Sequence, residues 1–189
     1  MRRWWRKFWQ RYLPSEALKL ISFRPATSAD QPAISAFVRE ANLFPLGLKW
    51  PNFLLAVDDQ TGQIVATGQI KRHGDGSYEL ASIATRPAYQ RRGLAHQIIE
   101  QLLLKHPGVL YLTCLSHMES LYQEFGFQTI GPEEMTPYFR RLSRLGQAAQ
   151  LLSRDSRKVA FLTQAYDRGL PLPEERLGLM FDLGTPGED

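Results

Sequence analysis

The chain has 189 residues, 43% of them hydrophobic and 22% charged, a composition that fits one globular domain and excludes disordered and fibrous classes. The net charge of +4 is modest, and Arg2, Arg3, Arg6, Lys7 and Arg11 supply much of the excess. The basic balance therefore describes a tail and carries no nucleic-acid signal. Cys114 is the single cysteine, which excludes an internal disulfide and a cysteine-based zinc site.

Residues 2–13 place Trp4, Trp5, Phe8, Trp9, Tyr12 and Leu13 on one side of a helical projection and the cations on the other. Residues 1–20 are therefore expected to form a basic, aromatic amphipathic helix that ends at Pro14. Such a helix suits a peripheral membrane surface, a protein partner or docking on its own domain. No apolar run approaches the roughly 18 residues that cross a bilayer, and no secretory signal opens the chain. A cytoplasmic protein is expected.

From residue 21 the pattern changes to alternating strands and helices. Ile21 to Arg24 reads as a strand, and Thr27, Ser28 and Asp30 with Pro32 mark a helix start ahead of Ile34, Phe37 and Val38. Pro45, Gly47 and Pro51 break residues 40–51 into short helix and loop suited to shaping a substrate site. Strands at 52–57 and 63–71 flank an Asp-Asp-Gln-Thr-Gly turn, and Gly68 within the second predicts a bulge or a close backbone approach. A strand at 78–85 follows, then a basic loop Gln90-Arg91-Arg92-Gly93 that feeds a helix reaching His106. A glycine-containing loop at a helix N-terminus collects free amides and the positive end of the helix dipole, as a phosphate requires.

Pro107-Gly108 stops that helix, and 109–115 reads as a buried strand. The crossover makes strands 78–85 and 109–115 parallel neighbours. A helix over 118–125 and a strand over 127–130 come next. Residues 137–168 read as helical, with Phe139, Leu142, Leu145, Leu151, Leu152, Val159, Phe161 and Leu162 as core positions, and 177–183 as the last strand. The domain is thus expected over 21–184, with a helical insertion at 131–176 and a mobile tail at 185–189.

The hexapeptide Gln90-Arg91-Arg92-Gly93-Leu94-Ala95 resembles the Q/R-x-x-G-x-G/A motif of the GCN5-related N-acetyltransferase (GNAT) family. Leu121-Tyr122-Gln123-Glu124-Phe125-Gly126-Phe127 is similar to its L-Y-x-x-x-G-F motif, at the usual distance downstream, and residues 23–30 resemble its first strand and helix start. The resemblance implies an α/β fold: a mostly antiparallel mixed sheet with a central parallel pair and helices on both faces. It also implies acetyl-CoA as co-substrate and a primary amine, of a small molecule or a protein, as acceptor.

The amides of Arg91, Arg92, Gly93, Leu94 and Ala95 would cradle the coenzyme pyrophosphate, and the resemblance places the pantetheine contacts on Ile83, Ala84 and Thr85. Tyr122 matches the family's general acid; a phenol stays protonated at neutral pH and can donate to a thiolate. Glu79, eleven residues before Gln90, matches the position of a general base in some members. If Leu80, Ser82 and Ala84 face one way, Glu79, Ala81 and Ile83 face the other, and the register leaves open which side meets substrate. A solvated edge glutamate is the alternative. Leu115, with Ser116 and His117 beside it, stands where many members carry asparagine, so His117 would replace that coenzyme contact or act as a base, a helix cap or surface residue being the alternative. His73, His96 and His106 have no metal-ligand spacing, so no metal is expected. The insertion would roof the acceptor site or form a homodimer or partner surface, and a non-catalytic acyl-CoA-binding module is the alternative to an enzyme.

Overall fold

Asp30 shows how local chemistry starts the fold. Its carboxylate accepts hydrogen bonds from the Thr27 N–H at 2.7 Å and the Thr27 hydroxyl at 2.8 Å, and it receives both terminal nitrogens of Arg24 at 2.8 Å. The first helix is thereby tied to the strand before it, and the Arg24 guanidinium holds the Asp30 carboxyl well below the usual carboxylate range.

The computed structural model describes residues 20–106, 108–152 and 159–165. In chain order they form β1 (Ile21–Pro25), α1 (Gln31–Glu40), β2 (Phe53–Asp58), β3 (Ile64–Arg72), β4 (Tyr78–Thr85), α2 (Leu94–Lys105), β5 (Val109–Leu115), α3 (Glu119–Gln123), β6 (Gln128–Thr129), α4 (Pro137–Leu152) and β7 (Val159–Ala165). The strands make one sheet in the order β1-β2-β3-β4-β5-β7-β6, antiparallel throughout except for the parallel β4–β5 pair. This is the mixed sheet with a central parallel pair that the motifs implied.

Strand alternation assigns the two faces. Leu54 and Ala56 of β2 and Leu110 and Leu112 of β5 pack with Leu94, Ile98, Ile99 and Leu102 of α2. Phe53, Leu55 and Val57 point the other way, onto Ile34, Phe37 and Val38 of α1, and Tyr111 packs against the cluster holding Phe139 of α4. The helices α2 and α3 therefore cover one face, and α1 and α4 share the other.

Gly68 fulfils both parts of its expectation. The β3–β4 register shifts between Thr67 and Gln69, and a Cβ on Gly68 would collide with Ile98 and come within 2.7 Å of Ile83 and 2.9 Å of Leu102. Only a bare α-carbon lets α2 lie this close to the sheet.

The helical reading of 137–168 needs correction. The described helix covers Pro137–Leu152, and Val159–Ala165 is a strand paired along its whole length with β5. Short apolar runs fit either period, and the free outer edge of β5 decides this one in favour of a strand. The strand expected at 127–130 shortens to Gln128–Thr129, because Phe127 and Ile130 turn into separate cores. The amphipathic segment 2–13, the strand expected at 177–183 and the tail at 185–189 lie outside the described residues.

Candidate functional site

The loop between β4 and α2 is fastened before it turns. Arg86 donates from its backbone N–H to the Val65 carbonyl at 2.8 Å, from Nε to the Ile64 carbonyl at 2.8 Å and from Nη1 to Glu40 Oε2 at 2.9 Å. Three residues on, the Tyr89 hydroxyl donates to Asp58 Oδ2 at 2.6 Å, while Asp58 Oδ1 accepts the N–H groups of Gln60 and Thr61 at 2.9 and 3.0 Å. The Tyr89 bond, with those turn amides, holds the Asp58 carboxyl below its ordinary range and pushes the Tyr89 phenol up. These anchors precede two left-handed residues on either side of Arg92, Arg91 at φ 61° and Gly93 at φ 80°. Glycine takes that conformation freely, whereas arginine does so at a cost of about 1–3 kcal/mol, which the anchored loop sustains. Gly93 is the N-cap of α2, so the turn aims the first amides of that helix at one spot.

That spot opens onto a cavity of about 680 Å³. Its loop side is formed by Arg91, Gly93, Leu94 and Ala95, its strand side by Ile83, Ala84 and Thr85, and its far wall includes Phe37 and Leu43. The neighbouring strands β4 and β5 register as a parallel pair only at Glu79 and Tyr111, although both continue for several residues. A bulge interrupts β4 before it reaches the cavity. Ser82 sits at φ 55°, its carbonyl accepting the Thr67 hydroxyl at 3.0 Å and its hydroxyl accepting Gln69 Nε2 at 2.9 Å. The buried Thr85 hydroxyl has no hydrogen-bond partner among the described residues and belongs to a residue in the wall of this cavity, so the site offers a polar contact that a ligand can complete.

The extra residue also resolves the facing of β4. Leu80 and Ile83 both pack with α2, while Ala84 packs with the α1 cluster and Glu79 joins the polar side chains beneath α4. Strict alternation, which grouped Leu80 with Ala84, is therefore overturned by the bulge at Ser82.

Residues 49–129 match the acetyltransferase (GNAT) domain family. Over those residues the chain is similar to GNAT domains. No curated protein matches it in sequence. Among solved structures it is similar to N-acetylglutamate synthase from Neisseria gonorrhoeae, complexed with coenzyme A and L-arginine, at 20% identity and TM-score 0.61; the match covers 79% of this chain and 34% of that one. It is also similar to Rv2747 from Mycobacterium tuberculosis, solved with CoA, at 21% identity and TM-score 0.57, covering 76% and 98% of the two chains. The ribosomal-protein-S18-alanine N-acetyltransferase from Escherichia coli matches at 17% identity and TM-score 0.54, covering 80% and 99%. The chain thus spans about a third of the gonococcal synthase and nearly all of the other two.

Within the matched residues, seven of the eight expected around the coenzyme line one cavity: Ile83, Ala84, Thr85, Arg91, Gly93, Leu94 and Ala95. Arg92 turns away, its Nη2 donating to the Ala88 carbonyl at 2.9 Å and its guanidinium lying 4.9 Å over the Tyr89 ring. Tyr122 is buried next to the cavity wall formed by Met118 and Leu121, and burial, then the nearby Cys114, raises its pKa. Glu79 lies apart from that wall. It is buried and paired through Oε2 with Lys71 Nζ at 3.0 Å and His73 Nε2 at 2.9 Å. His117, an alternative coenzyme contact, is exposed.

Several members of this arrangement were not anticipated. Tyr89 and Asp58 read as ordinary loop and turn residues, and nothing local links positions so far apart. Lys71 and His73 did carry a signal: with a turn at 73–77, strand register places Lys71 opposite Glu79 on the same face.

Proposed function

We propose that this chain binds acetyl-CoA, as GNAT domains do, in the cavity between the end of β4 and the start of α2, and transfers the acetyl group to a primary amine by direct attack in a ternary complex. The observation that carries this reading is the convergence of a left-handed glycine turn, a helix N-terminus and the end of β4 on one cavity. The residues fit the coenzyme: the amides of residues 91–95 suit a pyrophosphate, and the backbone of 83–85 with the buried Thr85 hydroxyl suits an amide-bearing arm. When bound, acetyl-CoA supplies an activated acyl thioester.

The chain's own groups then manage protons. Tyr122 is the proposed general acid. Its raised pKa keeps the proton on the phenol at neutral pH, available to the departing sulfur. Glu79 is the proposed general base, taking a proton from the acceptor amine directly or through water. The wall at 40–51 and the helix α4 flank the sheet face on which Glu79 lies, and they are the proposed determinants of the acceptor.

A second reading, a non-catalytic acyl-CoA-binding module, is favoured by one fact: neither Tyr122 nor Glu79 lines the cavity. For residues 2–13, a peripheral membrane or partner contact at the cytoplasmic surface is proposed from their aromatic and basic faces. No helix among the described residues is long and apolar enough to cross a membrane.

Calorimetry with acetyl-CoA and turnover against a panel of amines test these readings. Gly93→Asp, which puts a side chain and a negative charge into the cradle, is expected to abolish binding. Tyr122→Phe is expected to keep binding and lower kcat about 100-fold. Unaltered turnover in Tyr122→Phe removes the acid role. Binding without acetylation of any amine favours the module.

A further inference from the structure

The polar cluster around Glu79 is more elaborate than a surface ion pair requires. Lys71 and Glu79 face each other in the β3–β4 register, and the Glu79, Lys71 and His73 side chains are only 6, 14 and 10% exposed. A carboxylate this buried needs a compensating charge, which Lys71 supplies, and directed hydrogen bonds, of which His73 supplies one. Both contacts fall on Oε2, and none among the described residues falls on Oε1.

His73 is itself held from α4. Its ring stacks on Tyr138 with centroids 3.5 Å apart and planes 15° apart, and meets the edge of Phe139 at 5.7 Å. The Tyr138 N–H donates to Asp75 Oδ2 at 2.7 Å, while Asp75 Oδ1 accepts the Ser77 N–H at 3.1 Å and the Ser77 hydroxyl at 2.6 Å. The start of α4 is thus bonded to the turn that follows His73. Phe139 in turn stacks at 5.0 Å on Tyr111, the residue registered with Glu79 across the parallel pair. The contacts on Oε2 thus come from Lys71 and His73, and α4 braces His73.

We infer that His73, clamped by Tyr138, is a positioning residue that fixes the Glu79 carboxylate so that Oε1 is the oxygen offered to the acceptor amine. This rests on the proposed role of Glu79 as base, and it makes the first turn of α4 part of the catalytic centre. The arrangement works by limiting rotation of a buried carboxylate, since a base must stay within hydrogen-bond reach of the proton it removes.

The experiment measures kcat and both KM values with the best amine of the panel, in the full chain, with thermal melts to verify folding. His73→Ala is expected to lower kcat about tenfold while KM for acetyl-CoA is unchanged, and His73→Gln, whose amide N–H can still donate, is expected to recover most of it. Tyr138→Ala should reproduce the loss and Tyr138→Phe, which keeps the ring, should not. Wild-type kcat in folded His73→Ala, a loss that the glutamine variant does not repair, or a change confined to KM for acetyl-CoA overturns the inference. If His73→Ala fails to fold, the Tyr138 pair decides it: equal kcat in the alanine and phenylalanine variants overturns it. Glu79→Gln, run alongside, separates the two levels. Full activity in that variant removes the base assignment and this inference with it, whereas an inactive Glu79→Gln beside a fully active His73→Ala removes only the role of His73.

Discussion

Gly68→Ala puts one methyl group between β3 and α2, where three side chains already meet. The new Cβ would strike Ile98 and approach Ile83 and Leu102 at 2.7 and 2.9 Å, all closer than real methyl contacts. Ile98 is fully buried and Leu102 nearly so, so neither can swing into solvent. Overpacking of this kind costs about 1–3 kcal/mol, and the tightness of three contacts argues for the upper half of that range. Alanine returns about 0.4–1 kcal/mol by restricting the unfolded chain, which leaves a net loss of about 2 kcal/mol. For a domain of this size the midpoint of thermal unfolding should fall by roughly 4–8 °C. Ile83 also lines the cavity, so the coenzyme affinity should weaken together with stability. Urea unfolding with calorimetry at each step measures both. Adding Ile98→Leu, which removes the γ-branch nearest the new methyl, should recover part of the loss through a coupling above about 0.5 kcal/mol. Stability equal to wild type in Gly68→Ala, or strictly additive effects in the double variant, would refute the packing argument.

Tyr89→Phe deletes the bond to Asp58 that fastens the anion loop to the β2–β3 turn, and should raise the Kd for acetyl-CoA about five- to tenfold with little change in kcat; unchanged affinity would show that Arg86 anchors the loop sufficiently. Alkaline stability supplies another check. Burial, then Glu119, pushes the Cys114 thiol up to about 11 from its ordinary 9.0, so its contribution is complete below pH 9 and is lost as pH rises toward 11. Cys114→Ala should flatten the stability curve at the start of that window, measured by urea unfolding at several pH values, while the loss from buried Tyr122, which sets in as pH rises above its ordinary 10.0, remains.

The parts of this molecule that repeat a local rule were legible in the sequence. The strand at 78–85, the helix from Leu94 and the strand at 109–115 coincide with their expected bounds because glycine, proline and a basic turn mark each end. The glycine turn at 90–95 was legible for the same reason: it is one contiguous stretch, and a single motif names its residues. The facing of Glu79 was not, because one bulged residue inverts the side-chain pattern and the bulge is announced only by Gly68 in the neighbouring strand. Val159, Phe161 and Leu162 fit a helical stripe as well as a strand, and what assigned them was the unfilled edge of β5, a tertiary fact. The Tyr89–Asp58 bond joins residues far apart in the chain through side chains that are individually ordinary.

The sheet order has a further consequence, for biosynthesis. The strand β7 lies between β5 and β6, so the hydrogen-bonding edge of β5 and the two residues of β6 both wait for a segment made after them. Translation proceeds at roughly 5–20 residues per second, so the stretch from Leu115 to Ala165 takes several seconds to emerge. During that interval the nascent chain presents an apolar strand with one side unsatisfied, a template for pairing with another molecule. Slower growth or a chaperone that shields β5 should therefore raise the soluble yield of the chain more than any stabilisation of its early hairpins.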